Sequence, residues 1–124
     1  MAKKIENEKV RPITLTDSES GEKYILEFNR ETVKFAEQRG FNINAVSDAP
    51  MTRIPELFYY AFRMHHKNVA RDRTDKIIFE DWGGIGGIPD GVLERLGMLY
   101  SATFDSFKAD EDGEVKNSKV TVEL

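Results

Sequence analysis

The chain has 124 residues, of which 40% are hydrophobic and 32% are charged, a composition typical of one folded domain with a polar surface. It contains no cysteine, which excludes disulfide bonds, thiolate nucleophiles and sulfur-ligated zinc. The net charge of −4, from 18 basic and 22 acidic residues, gives no overall attraction to nucleic acid. No apolar run approaches the roughly 20 residues of a membrane helix. Because no apolar segment follows the first lysines either, we expect a cytoplasmic protein.

Two runs of alternating apolar and polar residues follow the polar N-terminus. The first contains Ile13 and Leu15, and the second contains Tyr24, Leu26 and Phe28. The stretch Asp-Ser-Glu-Ser-Gly between them is rich in turn-forming residues, so the pattern predicts a β-hairpin. Because a hairpin alone is marginally stable in water, we expect its apolar face to cover a helical core.

The next segment carries the start and stop signals of a helix. Asn29 is a good N-cap residue, and Glu31 stands near the positive helix start. Arg39 stands near the negative end, and Gly40 is typical of the residue that ends a helix. These signals predict a helix between Asn29 and Gly40, followed by a linker over residues 42–50.

Residues 51–68 form a long amphipathic pattern and predict a central helix. We expect Thr52 to cap it and Pro55 to lie in its first turn. Tyr59 and Tyr60 flank its apolar arc, where each can bury its ring and keep its hydroxyl in water. The arc itself is composed of Ile54, Leu57, Phe58, Ala61, Phe62, Met64, His65 and Val69.

Two further helices are predicted in the second half of the chain. Thr74 can cap a short helix, which a cluster of glycines over residues 83–87 then ends. We interpret this cluster as a hinge. Pro89 can open a last, amphipathic helix that packs on the central one. Its apolar face is composed of Val92, Leu93, Leu96, Leu99, Tyr100, Phe104 and Phe107.

The last residues combine an acidic stretch with a short alternating pattern. Val120, Val122 and Leu124 alternate with polar residues, which predicts a strand that pairs within the chain or with another protein. We therefore divide the chain into a flexible N-terminus (1–9), one globular domain (10–107) and an acidic tail (108–124). The predicted fold is α+β and predominantly helical, with about four helices, an N-terminal β-hairpin and a possible short C-terminal strand.

The two histidines are the first candidates for chemistry. His65 and His66 are adjacent, so on a helix they project about 100° apart and cannot grip one metal ion together. We expect His65 to be a hydrogen-bonded core residue and His66 to lie at the surface. A small enzyme that uses His65 and a nearby carboxylate stays an alternative, and it requires a pocket around His65. No catalytic motif is present, so we expect a non-enzymatic protein without metal or cofactor.

Two other motifs have both a functional and a structural interpretation. The glycine cluster lacks the spacing of a dinucleotide fingerprint and the lysine of a phosphate loop. Residues 63–76 carry five basic and two acidic side chains, which either mark the solvated end of a helix or bind phosphates. A small DNA-binding regulator that uses this basic patch is therefore the main functional alternative.

Three segments carry a resemblance to a known family. They are GEKYILEFNRETVKFAEQRGF at residues 21–41, IPELFYYAFRMHHKN at 54–68 and KNSKVTVEL at 116–124. In the order of these parts the chain resembles the small tail assembly chaperones of long-tailed bacteriophages and prophages. The resemblance implies a non-catalytic, mostly helical protein of the host cytoplasm that self-associates. It also implies binding to the tape measure protein and help in recruiting tail tube subunits.

The resemblance does not transfer binding residues one by one. Candidates come instead from aromatic residues and from the strand pattern, since a chaperone needs accessible apolar surface. We expect the partner-binding surface to include some of Tyr59, Tyr60, Trp82, Phe107, Val120, Val122 and Leu124.

Overall fold

The computed structural model describes the backbone of residues 10–109 and the side chains of residues 10–104. Within this part the strands are β1 (Ile13–Thr16) and β2 (Lys23–Leu26). The helices are α1 (Arg30–Gln38), α2 (Pro50–Phe62), α3 (Arg71–Lys76) and α4 (Val92–Ala109). The predicted α+β fold, a hairpin followed by four helices, is confirmed for these residues. The predictions for residues 1–9 and for a C-terminal strand lie outside the described residues.

The hairpin pairs β1 and β2 in antiparallel register, with Ile13 opposite Leu26. Its loop is closed by Asp17, whose Oδ1 accepts the N–H groups of Glu19 and Ser20 at 2.8 and 3.2 Å. Gly21 follows with φ of 80°, a value that favours glycine. The Asp17 carboxylate therefore stabilises the loop, and Gly21 takes the backbone conformation at its end, as the turn-rich sequence suggests.

One face of the hairpin lies in the core. Tyr24, Leu26 and Phe28 are all buried, as the alternation predicts, whereas Ile25 points outward. The backbone N–H of Glu27 donates to the carbonyl of Ala61 on α2 at 3.0 Å. The hairpin is therefore joined to the helices by a backbone hydrogen bond as well as by apolar contact.

Helix α1 has the predicted start and stop. The Asn29 side chain accepts the N–H of Thr32 at 2.9 Å, and the Thr32 hydroxyl accepts the N–H of Asn29 at 2.8 Å. This reciprocal capping box satisfies two donors at the helix start. At the other end, Gly40 has φ of 92° and lets Phe41 donate back to the carbonyl of Ala36.

Helix α2 differs from its prediction at both ends. It begins at Pro50, which suits the first helical turn, so the predicted cap at Thr52 is wrong. It ends at Phe62 and not near residue 68. The Ala61 carbonyl, which a continuing helix would offer to the N–H of His65, instead accepts the N–H of Glu27.

Helix α3 also starts differently from the prediction. It begins at Arg71, so Thr74 lies inside it and is not the cap. Thr74 is fully buried, and its hydroxyl donates to the carbonyl of Arg71 at 3.0 Å, the back-bond that buried threonines make in helices. The helix continues as a π-helical turn over Ile77–Asp81 and ends where Gly83 takes φ of 81°.

The glycine cluster folds back closely on the end of this turn. A Cβ placed on Gly87 would lie 1.7 Å from the carbonyl oxygen of Trp82, whereas one on Gly86 would meet no atom within 4 Å. A short 3-10 turn, Ile85–Gly87, occupies the middle of the cluster. Gly87 is thus required by close backbone contact, a role that differs from that of a hinge.

Helix α4 completes the core. It begins at Val92, three residues after Pro89, whose carbonyl accepts the Val92 N–H at 3.2 Å. Leu96, Leu99 and Tyr100 are buried from α4 against the hairpin, α1 and α2. Across the described residues, no helix is both long and apolar enough to span a membrane.

Candidate partner-binding groove

An open groove of about 640 Å³ lies between the end of α1 and the second half of α4. The chain reaches it from α1 through Gly40 and a 3-10 turn, Ile43–Ala45, which Asn42 caps by accepting the N–H of Asn44 at 2.8 Å. Local capping signals therefore shape this wall. The residues that matter for its chemistry are Glu37, Phe41, Ile43, Tyr100, Ser101 and Phe104.

Aromatic rings form the floor and one rim of the groove. Phe41 and Tyr100 are 3% and 1% exposed, and their ring centroids lie 5.7 Å apart in an edge-to-face arrangement. Phe104 packs on Tyr100 with centroids 5.9 Å apart but is 52% exposed. A large apolar side chain thus stands at the edge of a rigid aromatic floor, where it is available to a partner.

Four polar side chains line the groove beside the aromatic ones. Burial raises the pKa of the Tyr100 hydroxyl to about 12, and the nearby Glu37 carboxylate adds to this effect. The hydroxyl therefore stays neutral at physiological pH. Glu37, Ser101 and the two asparagines of the 3-10 turn supply hydrogen-bonding groups next to the aromatic surface.

The residues predicted for partner binding are not brought together. Tyr60 is 7% exposed, and the centroids of its ring and the Phe41 ring lie 5.7 Å apart, so little of Tyr60 is available to a partner. Tyr59 is half-buried against Tyr60, and Trp82 is half-buried against Phe58 with centroids 5.5 Å apart. Neither Tyr59 nor Trp82 lines the groove.

The other predicted residues are outside the description of side chains. Phe107 lies on α4 about one turn beyond Phe104, but only its backbone is described. Val120, Val122 and Leu124 lie outside the described residues. Their part in partner binding stays a prediction.

The groove does not follow from the local sequence pattern, which places Phe104 on the core face of the last helix. The sequence signal for the groove is the pair Phe41 and Ile43, because apolar residues that follow a helix stop are expected to pack against another element. Their partner, Tyr100, is remote in sequence and could not be identified from the local pattern.

The two histidines have the opposite environments from those predicted. His65 is exposed, and its Nε2 lies 2.8 Å from Oε1 of Glu27. His66 is half-buried, its Nε2 accepts the N–H of Ile25 at 2.8 Å, and its ring packs edge-on against Tyr24. The prediction was wrong because α2 ends at Phe62, which moves both residues off the helical arc.

An enzymatic role for His65 requires a nearby carboxylate and a pocket around the ring. Glu27 supplies the acidic partner that this alternative requires. Neither residue lines the groove between α1 and α4. Among the described residues, no three histidine, aspartate or glutamate side chains are arranged to hold a metal ion.

The basic patch at residues 63–76 is largely engaged within the chain. Arg73 Nη2 lies 2.8 Å from Oδ2 of Asp17, and Arg71 Nε lies 2.9 Å from Oδ1 of Asp75. Arg63 stacks on an aromatic ring of α1. Two of its three arginines are thus neutralised by carboxylates, which weakens the case for a phosphate-binding surface.

Comparison with known proteins places the chain in a family without giving it an activity. No curated protein and no solved structure matches it. A family model described as a domain of unknown function, DUF5055, matches residues 1–124. Because this match covers the whole chain, the protein belongs to the DUF5055 family.

Proposed function

We propose that this protein is a non-catalytic phage tail assembly chaperone of the bacterial host cytoplasm. In this role it binds the tape measure protein and helps to recruit tail tube subunits. The proposal starts from the resemblance at residues 21–41, 54–68 and 116–124. The single structural observation that supports it is the open groove with Phe104 exposed at its rim.

The size and lining of the groove suit an amphipathic helix of the partner. Its volume of about 640 Å³ falls in the range of roughly 300–1,000 Å³ that binding pockets have. That space takes a few apolar side chains from one helix face, the mode in which many proteins recognise helices. A tape measure protein is long and rich in helix, so it presents many such faces before the tail tube encloses it.

The mixed chemistry of the groove suits binding that must later be reversed. A chaperone has to release its partner when the tail tube arrives, so very tight binding would hinder assembly. Buried aromatic residues form the floor, whereas Glu37, Ser101 and two asparagines keep the rim polar. Burial of Phe104 against a partner supplies apolar contact from one side chain, so the polar rim of the groove does not have to be buried as well.

Co-expression with the tape measure protein from the same phage or prophage tests the proposal. We expect the wild-type chain to increase the soluble fraction of the tape measure protein and to co-purify with it. Phe104→Ser should weaken this binding about tenfold, because an aromatic anchor at a groove contributes a large share of the affinity. The same substitution should leave the fold intact, since Phe104 is 52% exposed.

Met98→Ser is the matched control. Met98 lies on the same helix and is 49% exposed, but it does not line the groove. We expect it to bind like the wild type. Equal binding by the two variants would show that the partner does not bind at the groove. A tape measure protein that stays insoluble with the wild-type chain would contradict the chaperone role.

A further inference from the structure

Two arginine side chains stack on the ring of Phe35. The guanidinium carbons of Arg39 and Arg63 lie over this ring at 4.0 and 3.7 Å from its centroid. Both cations therefore stack on the same aromatic ring, an arrangement that cation–π attraction stabilises.

Two helices fix this arrangement. Phe35 is in the last turn of α1, and Arg39 follows four residues later at the end of the helix. Arg63 comes from the end of α2. The Phe35 ring also packs edge-on against Tyr60 at 6.0 Å, so the ring is itself supported by a buried residue of α2.

Neither arginine has a carboxylate partner within the part of the chain that the structure describes. The ion pairs there involve Arg53, His65, Arg71 and Arg73. Stacking uses the faces of the guanidinium groups and leaves their N–H donors, which lie in the plane, available for hydrogen bonds. The edge of the aromatic ring carries the positive end of its quadrupole.

We propose that Arg39, Phe35 and Arg63 form a binding site for the acidic side chains of a partner protein. Two fixed guanidinium groups with free donors match carboxylate oxygens. Both arginines follow the C-terminal end of a helix, where the partial negative charge stabilises the cations and opposes a doubly charged phosphate more strongly than a singly charged carboxylate. This site goes beyond the groove and the function proposed above, since its residues are separate from the groove lining.

Peptide binding followed by NMR of the arginine side chains tests the site. The probe is a helical peptide of alternating Glu and Ala blocks, and its control has Gln in place of every Glu. We expect the Nε–H signals of Arg39 and Arg63 to shift with the Glu peptide alone, and the shift to decrease as salt is added. Arg39→Gln should weaken the binding about tenfold, as expected for the loss of a hydrogen-bonded charge.

Two other variants separate this role from general electrostatic attraction. Phe35→Leu removes the ring that positions both arginines, so it should weaken peptide binding while both charges remain. Arg95→Gln removes an exposed arginine of α4 and should have no effect. Circular dichroism establishes whether each variant is folded. If Phe35→Leu unfolds, Arg39→Gln alone tests the site.

Several results would overturn the inference. They are equal shifts with the Glu and Gln peptides, a loss of affinity for Arg95→Gln equal to that for Arg39→Gln, or tighter binding of inorganic phosphate than of the Glu peptide. The groove is tested separately through Phe104→Ser, so failure of this site does not decide the proposed chaperone function.

Discussion

The backbone N–H of Ile25 donates to Nε2 of His66 at 2.8 Å, so a side chain from the turn after α2 bonds the hairpin strand β2. The ring can accept this bond only while Nε2 carries no proton. Two residues further along, the N–H of Glu27 donates to the carbonyl of Ala61. Together these bonds join the hairpin to the end of α2.

Replacing His66 should therefore destabilise the fold. His66→Phe keeps an aromatic ring beside Tyr24 but cannot accept the Ile25 N–H, so we expect a loss of about 1 kcal/mol in the free energy of unfolding. Urea unfolding measures this value. His65→Phe is the control, because it removes a more exposed contact with Glu27 and should change stability by less than about 0.5 kcal/mol. Equal losses would contradict the distinct role of His66.

Alanine substitutions at two neighbouring glycines of the cluster should differ strongly in their effect on stability. Gly87→Ala would place a Cβ 1.7 Å from the backbone oxygen of Trp82, which must move to relieve the overlap. We expect a loss of about 3 kcal/mol, at the upper end of the effects of overpacking. Gly86→Ala meets no atom within 4 Å and should be nearly neutral. Thermal unfolding of both variants provides the test, and similar midpoints would show that the close contact at Gly87 is absent in solution.

Much of the fold could be predicted from the sequence because its signals are local. The alternation of Tyr24, Leu26 and Phe28 gives the hairpin face, and Asn29 with Gly40 gives both ends of α1. These residues act on neighbours within a few positions. Their structural effect therefore depends little on the rest of the chain.

The incorrect predictions for the end of α2 and for the histidines have a different cause, namely competition from groups remote in sequence. The end of α2 depends on Glu27 donating to Ala61, and the environment of His66 depends on the position of Ile25. The groove needs Phe41 and Tyr100 to meet, although each also fits a core pattern. Local patterns contain no information about which of these long-range contacts forms.

Asp17 joins the hairpin loop to α3, so its charge should affect stability at low pH. Backbone N–H groups of Ser20 and Glu19 hold its pKa below the ordinary value of 3.8, and Arg73 adds to this effect. A lowered pKa in the folded state gives stability that is present above the unfolded pKa and is lost as pH falls through the folded pKa. We expect the stability advantage of the wild type over Asp17→Asn to decrease below about pH 4.

Urea unfolding between neutral and acidic pH measures this difference. Arg73→Gln should reproduce only part of the effect of Asp17→Asn, because the loop N–H groups still bind the carboxylate. In a double-mutant cycle we expect only a small coupling between the two side chains, as for other solvent-accessible ion pairs. A pH-independent difference between the wild type and Asp17→Asn would be inconsistent with the lowered pKa.

The burial of Tyr100 should make the stability of the fold decrease at alkaline pH. Burial raises its pKa to about 12, so the folded state holds the hydroxyl proton more tightly than the unfolded state, in which the ordinary value is 10. Stability from this group is therefore complete below pH 10 and is lost as pH rises towards 12. We expect the wild type to lose of the order of 2 kcal/mol more than Tyr100→Phe across this interval, since each pKa unit corresponds to about 1.4 kcal/mol.

Denaturant unfolding at several pH values, followed by circular dichroism, provides the measurement. Tyr59→Phe is the control for the loss of a tyrosine hydroxyl outside the groove. Tyr100→Phe keeps the ring contacts with Phe41 and Phe104, so its stability at neutral pH should remain close to that of the wild type. If both variants follow the wild-type curve up to pH 12, the Tyr100 hydroxyl is not desolvated, and the floor of the groove is open to water in solution.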